Sequence, residues 1–461
     1  MKQKTLLVKN ALKIAVMDGA GTEISGGDIY IEGPRIVKTG KNLRVKAMET
    51  VDARGCVAVP GLVNTHHHLY QTLTRNLPGA QDSKLFDWLV YLYEIWRHID
   101  GESVHASARA GLAELLLSGC TTSSDHLYLF PGGASANLID AEIEAARELG
   151  IRFHPCRGSM SRGKSAGGLP PDDVVQTEDE IMRDCERLVN KYHDRGRFAM
   201  TRIALAPCSP FSVTPELLKL TAQAARKWDV RMHTHLAETK DENDYCLKTL
   251  GMRPLEYMRS SGWLEDGRSW FAHCVHLNPA ESRLMAKTRA GVAHCPSSNM
   301  RLGSGIAPVN MYLRHGVAVS LGVDGSASND CNDMPGEARN AMLCARVKDG
   351  AGAMSARQAL RLATIGGARV LGRDDIGSLE PGMAADIALF DVSGLDFAGA
   401  QSDPVAALMF CGTSHRARHV IVNGKIAVKD GRLAKLDERR IAAAQNKAAA
   451  KLYRKAGLTP A

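Results

Sequence analysis

Apolar residues along the 461-residue chain fall into two textures. From residue 1 to about 58, and again from about 376 to 431, short apolar runs are punctuated by glycine. They lie at 6–8, 29–31, 36–39 and 51–53 in the first stretch and at 386–390 and 419–424 in the second. Such runs predict short strands and hairpin arms. The two ends together predict a small composite β-sandwich domain, 1–58 plus 376–431. Between them, apolar runs ending near Asn64, Asp125, Arg157, Pro207, His235, His273, Cys295 and Asp324 alternate with stretches of helical periodicity. Those include 103–117, 177–192, 215–228 and 279–288. Eight strand–helix units within 59–375 predict an α/β fold of the (β/α)8 TIM-barrel type. Residues 432–461 are expected as a C-terminal helix or tail. In such a barrel the chemistry sits at the C-terminal ends of the strands.

Composition narrows the class. Apolar residues make up 44% and charged residues 23%, with a formal net charge of +8, the balance of a soluble globular enzyme. Much of the basic excess lies in 435–455 and reads as a solvated terminal helix, not a nucleic-acid stripe. No run reaches the roughly 18 apolar residues of a membrane span. The N-terminus lacks the apolar core and cleavage site of a signal peptide. Eleven cysteines without CxxC spacing read as free thiols of a reducing compartment. A cytoplasmic homo-oligomer acting on a small molecule is expected, with no nucleic-acid and no membrane partner.

Candidate chemistry begins at the end of the apolar run 57–63. Alternate residues of a strand face the same way, so His66 and His68 project to one side and His67 to the other. Two imidazoles side by side can grip a transition metal. Alone the pair is weak, because histidine is common in ordinary cores. The run His233-Thr234-His235-Leu236-Ala237-Glu238 adds a third nitrogen at His235. Glu238 leaves the barrel rim three residues later, where a carboxylate can reach over a metal and shuttle a proton. The plain alternative makes Glu238 a helix cap and His235 a satisfied core residue. His273 ends the sixth strand as a ligand, a partner of water or substrate, or a buried structural histidine. Asp324 follows the eighth strand between Gly322 and Gly325, either as a turn residue or as a ligand that accepts a proton. Together these predict three nitrogen ligands, one carboxylate and an open position. Zinc suits that set, with iron as the alternative.

Three further residues point to a substrate pocket. Gln71, three positions beyond His68, offers both donor and acceptor to a ring amide edge; a surface-loop glutamine is the rival reading. Cys208 follows the fourth strand and reads as pocket packing, since metal-hydroxide chemistry needs no thiol nucleophile. The aromatic stretch 86–96 has helical spacing. Core packing is its default, and Trp88 as a flat lid over a heterocycle is the sharper reading. The glycine-rich stretch 161–171 is expected as a mobile loop over the rim.

The order His-x-His, His, His, Asp resembles the amidohydrolase superfamily over nearly the whole chain. The Pro60-Gly61 entry and the Gly377-x-x-x-x-Gly382-x-x-Ala385-Asp386 segment join that resemblance. Binuclear members carry a lysine at the end of strand four. The run 198–207 has none, which implies one metal, as in the deaminase branch. The segments 64–68, 71–75, 118–122, 204–212 and 294–302 are most similar to bacterial 8-oxoguanine deaminases, and also resemble triazine hydrolases and isocytosine deaminases. The resemblance implies one divalent metal held by His66, His68, His235 and Asp324. It makes Glu238 and Asp324 the acid/base pair and gives His273 the orienting of nucleophile or substrate. The implied reaction is hydrolytic deamination of an amino-substituted purine, 8-oxoguanine to urate plus ammonia. Rival readings are an isocytosine-type pyrimidine deaminase, a triazine hydrolase releasing amine or chloride, and a non-catalytic assembly protein. The retained acid/base carboxylates speak against the last.

Overall fold

Eight parallel strands close into a barrel in sequential order: β1 (Leu62–Asn64), β2 (Cys120–Leu127), β3 (Arg152–Ser159), β4 (Ala204–Pro207), β5 (Arg231–Leu236), β6 (Ser269–His273), β7 (Gly291–His294) and β8 (Ala318–Leu321). Leu321 pairs with Asn64 and joins β8 to β1. The structure is a computed structural model that describes residues 4–132, 137–412 and 415–458. Residues 1–3 and 459–461, the extremes of the two expected terminal units, lie outside the described residues. β2 and β3 are buried at every position, as parallel strands covered on both faces must be.

The intervening helices start where the sequence supplies caps. Asp100 and Ser103 form a capping box at Gly101–Leu117, and Thr177 and Glu180 form one at Glu178–Tyr192. Thr214 caps Pro215–Trp228, whose proline occupies the first turn without cost, because its missing N–H would have no helical partner there. Asn278 and Glu281 do the same for Pro279–Lys287. Among the described residues no helix is long and apolar enough to cross a membrane. The eleven cysteines are all unpaired, as expected.

Both chain ends build one nine-stranded mixed sheet. Its seam is the antiparallel pairing of Cys56–Pro60 with Ile387–Asp391. Val8, Ile14, Ile29, Ile31, Leu389 and Ile421 fill its own apolar core. The apolar run that reads as one strand leading to His66 is therefore two. Residues up to Pro60 pair in the sheet, and those from Leu62 pair in the barrel. The chain changes layers at Gly61, where any Cβ would overlap the Thr121 side chain. A buried ion pair between Arg152 on β3 and Asp386 fastens the layers, and Asp386 also accepts the Asn423 N–H at 2.7 Å. Arg152→Met would strand the Asp386 charge in the interior. The expected loss is about 3–5 kcal/mol of unfolding free energy, read from denaturant titration.

The terminal helix Glu438–Lys455 departs from the expected solvated tail. It buries Ile441, Ala448 and Leu452 and lies along Gly101–Leu117. Its Gln445 amide donates to Thr72 Oγ1 at 3.0 Å, and the Tyr453 hydroxyl donates to the Leu73 carbonyl at 2.7 Å. Its basic residues are partly neutralised where Lys451 and Lys455 pair with Asp100.

Candidate active site

The C-terminal rim of the barrel gathers every residue expected to act there. His66 and His68 sit in the segment just past β1, and His67 turns away to bond Asn332 Oδ1 at 2.8 Å. Three backbone carbonyls and one ring nitrogen fix the ring tautomers. His68 Nδ1–H donates to the His126 carbonyl at 2.7 Å, and His235 Nδ1–H donates to the Cys208 carbonyl at 2.6 Å. His233 Nδ1–H donates to the Trp270 carbonyl at 3.0 Å, so its Nε2 accepts from His66 Nδ1–H at 2.7 Å. A neutral imidazole carries one proton, so Nε2 of His66, His68 and His235 is in each case a bare lone pair. Burial keeps these rings neutral; it is the largest cause pushing His235 down to about 3.

Those lone pairs face one another. His68 Nε2 and His235 Nε2 are 3.0 Å apart with no proton between them. His66 Nε2 is buried without a hydrogen-bond partner. Asp324 Oδ1 stands 3.3 Å from both His66 Nε2 and His68 Nε2. Ligands about 2.0–2.1 Å from one tetrahedral ion lie about 3.3 Å apart, so this donor set fits a single divalent cation. Outer hydrogen bonds that fix the ring orientations are a feature of built metal sites.

Asp324 has a left-handed backbone, φ 63°, as does His273, φ 68°. That conformation is uncommon for residues with a side chain and gathers at functional sites. Gly325 N–H and the Ser328 hydroxyl donate to Asp324 at 2.8 and 3.2 Å. A Cβ at Gly325 would sit on the Gln71 amide, so glycine there is what lets Gln71 lie against the turn. His273 Nδ1–H donates to Asn299 Oδ1 at 2.9 Å, which leaves Nε2 3.5 Å from Glu238 Oε2 and 3.9 Å from Asp324 Oδ2. Burial opposes charge on His273, but Glu238 and Asp324 outweigh it and raise its pKa above the ordinary value.

Glu238 does not cap the following helix; Thr239 does. Glu242 instead accepts the N–H groups of Ala237 and Glu238 at 2.8 and 2.9 Å, pinning the turn that presents Glu238. Burial is the main cause pushing the Glu238 carboxyl up to about 7, with Asp324 adding to it and His273 opposing.

These groups open onto a cleft of about 420 Å3. Gln71, Trp88 and Cys208 all line it, as expected. Tyr93, Tyr128 and Phe211 extend the aromatic wall begun by Trp88. Gln71 Oε1 and Trp88 Nε1 are buried without partners. Burial pushes the Cys208 thiol up to about 12, which fits packing and not nucleophilic attack. The 161–171 loop contributes no lining residue to the cleft. Ser161 and Arg162 N–H groups bond the Ser212 carbonyl, and Asp172 closes the loop on Ser165. That loop is thus tied down beside the rim and does not cover the cleft.

Sequence reasoning missed His233, His126, Tyr128, Glu242 and Asn299. His233 had a signal, since it shares a strand face with His235 in a second His-x-His. His126 stacks on His235 at 4.9 Å and belongs to the same group of imidazoles. Tyr128 and Asn299 act from distant segments, and Glu242, four residues beyond Glu238, reads in the sequence as an ordinary acidic residue of a helix's first turn.

A model of the amidohydrolase family matches residues 57–427. The 8-oxoguanine deaminase of Pseudomonas aeruginosa is 47% identical over 92% of this chain and 94% of its own length. The hydroxydechloroatrazine ethylaminohydrolase of Pseudomonas sp. strain ADP is 34% identical, over 95% of this chain and 94% of that enzyme. Among solved structures, the atrazine chlorohydrolase of Arthrobacter aurescens TC1 complexed with zinc superposes with a TM-score of 0.93 at 38% identity, over 96% of this chain and 100% of that one. With its sequential eight-stranded barrel and this likeness along its length, the chain belongs to the amidohydrolase family.

Proposed function

We propose that the chain is a metal-dependent hydrolytic deaminase of an amino-substituted purine, converting 8-oxoguanine and water to urate and ammonia. One observation carries the reading. Three outward lone pairs and two buried carboxylates converge at the floor of an aromatic-walled cleft. The likeness to the Pseudomonas aeruginosa enzyme supports the purine.

In this reading His66, His68, His235 and Asp324 hold one divalent ion, zinc in preference to iron given the nitrogen-rich set and the zinc-complexed relative. Such an ion supplies a water whose pKa falls from ~15.7 toward ~7. Asp324 takes the proton of the attacking water through Oδ2, the oxygen that also accepts from the Ser328 hydroxyl. Glu238, whose carboxyl burial pushes up to about 7, protonates the ring nitrogen beside the amino-bearing carbon and makes that carbon more electrophilic. The water oxygen bonds to the carbon, Asp324 passes the proton it took to the amino nitrogen, the exocyclic C–N bond breaks so that ammonia leaves, and the hydroxyl proton left on the new oxygen returns to Glu238 as the carbonyl forms. His273, oriented by Asn299, steadies the oxygen between Glu238 and Asp324. Gln71 offers its unpaired oxygen to the ring amide edge, and Trp88 supplies a flat wall.

Ammonia release from 8-oxoguanine, guanine, isocytosine, cytosine and a melamine-type triazine tests the assignment. The highest kcat/KM is expected with 8-oxoguanine, by about tenfold or more over each of the others. A larger value on a pyrimidine or triazine, or ammonia from none of the five, overturns it.

A further inference from the structure

At the other end of the barrel, the starts of β4, β5 and β6 surround a second cavity, of about 750 Å3. Arg195, Arg202, Arg231 and Arg268 line it, and Asp229 is the only carboxylate among the lining residues. Asp229 is already paired with Arg268, which also holds Asp266. The other three guanidinium groups have no carboxylate within ion-pair distance among the described residues. Arg231 stands out. A guanidinium carries five N–H donors, and none of those on Arg231 meets an acceptor among the described residues. Its Nε, like that of Arg202, is shut away from water without a partner. Burial, with Arg268 adding to it and Asp266 opposing, pulls the Arg231 pKa down to about 10. Arg231 and Arg202 are half-buried and Arg195 is exposed, and guanidinium groups gathered without paired carboxylates repel one another and favour an anion between them.

The two histidines of the cavity present donors as well. His154 Nε2 accepts from Arg373 Nη1 at 3.1 Å, and His193 Nδ1 accepts the Ile203 N–H at 3.0 Å. Each neutral ring therefore carries its proton on the other nitrogen. A chamber lined by donors and uncompensated positive charge is a host for an oxyanion, since planar guanidinium forks match phosphate and carboxylate oxygens. We propose that this chamber binds a small dianion of the phosphate or dicarboxylate kind, at a site separate from the catalytic cleft. Arg231 and Arg202 hold the anion from within, and Arg195 closes on it from the exposed side.

Calorimetric titration of the metal-loaded, full-length protein with inorganic phosphate and, separately, with succinate tests this. Chloride keeps the ionic strength constant. One saturable site per chain is expected for at least one of the two, and the responding anion identifies the class. Arg231→Gln and Arg195→Gln should each weaken that binding about tenfold or more. Arg195 is exposed, so its variant keeps the fold and decides the matter alone if Arg231→Gln unfolds in a circular-dichroism check. No saturable binding of either anion up to about 10 mM, or affinity unchanged in Arg195→Gln, overturns the proposal.

Discussion

Glu238→Gln should keep its metal and lose turnover by about 10²–10⁴-fold, the span that one positioned acid/base group contributes. Glutamine has the same outline as glutamate, and the Glu242 carboxylate holds residue 238 by its backbone N–H, not by its side chain. The substitution therefore leaves the turn in place and removes only the transferable proton. Metal per chain by mass spectrometry, measured beside kcat on 8-oxoguanine, separates the outcomes. Turnover within about twofold of the unaltered enzyme would take Glu238 out of proton transfer. Loss of metal would show that its carboxylate is a ligand.

His68→Ala carries the second large effect. Its ring supplies one of three facing lone pairs, and His126, the other imidazole of the group, is already tied to the Ala206 carbonyl through Nε2 at 2.8 Å. Outer-sphere partners of metal ligands are themselves worth about 10–100-fold in affinity, so loss of a direct ligand is expected to exceed 100-fold. The variant should come through dialysis at neutral pH without stoichiometric metal and without measurable ammonia release. Full occupancy after dialysis would mean that the ion is held by some other set, and the tautomer assignments at His66 and His235 would fall with it.

How far these residues were legible depended on how local their signals are. Parallel strands covered on both faces read as apolar runs, and boxes such as Thr177 with Glu180 mark helix starts, so the barrel could be counted along the chain. The period of two in a strand separated His66 and His68 from His67 before any coordinates. Interactions across strands left no comparable trace. The bond from His66 to His233 joins residues 167 positions apart. The change of layers at Gly61 is set by Thr121, sixty residues on, which the Pro60-Gly61 pair alone does not reveal. The terminal helix looked solvated because only Ile441, Ala448 and Leu452 form its apolar stripe among alanines and charges. The arginine chamber is assembled from several segments, each with an ordinary scatter of basic residues.

The carbonyls that set the imidazole tautomers come from His126, Cys208 and Trp270, at or beside β2, β4 and β6. The proposed ligands come from the ends of β1, β5 and β8, with His235 inside β5 itself. Under the proposed function, cation capture at this rim would report on closure of the whole barrel: a partly assembled chain has the side chains but not the acceptors that aim them. Promiscuous ions met during folding would find protonated or swivelling rings, and tight loading would wait for the finished cylinder.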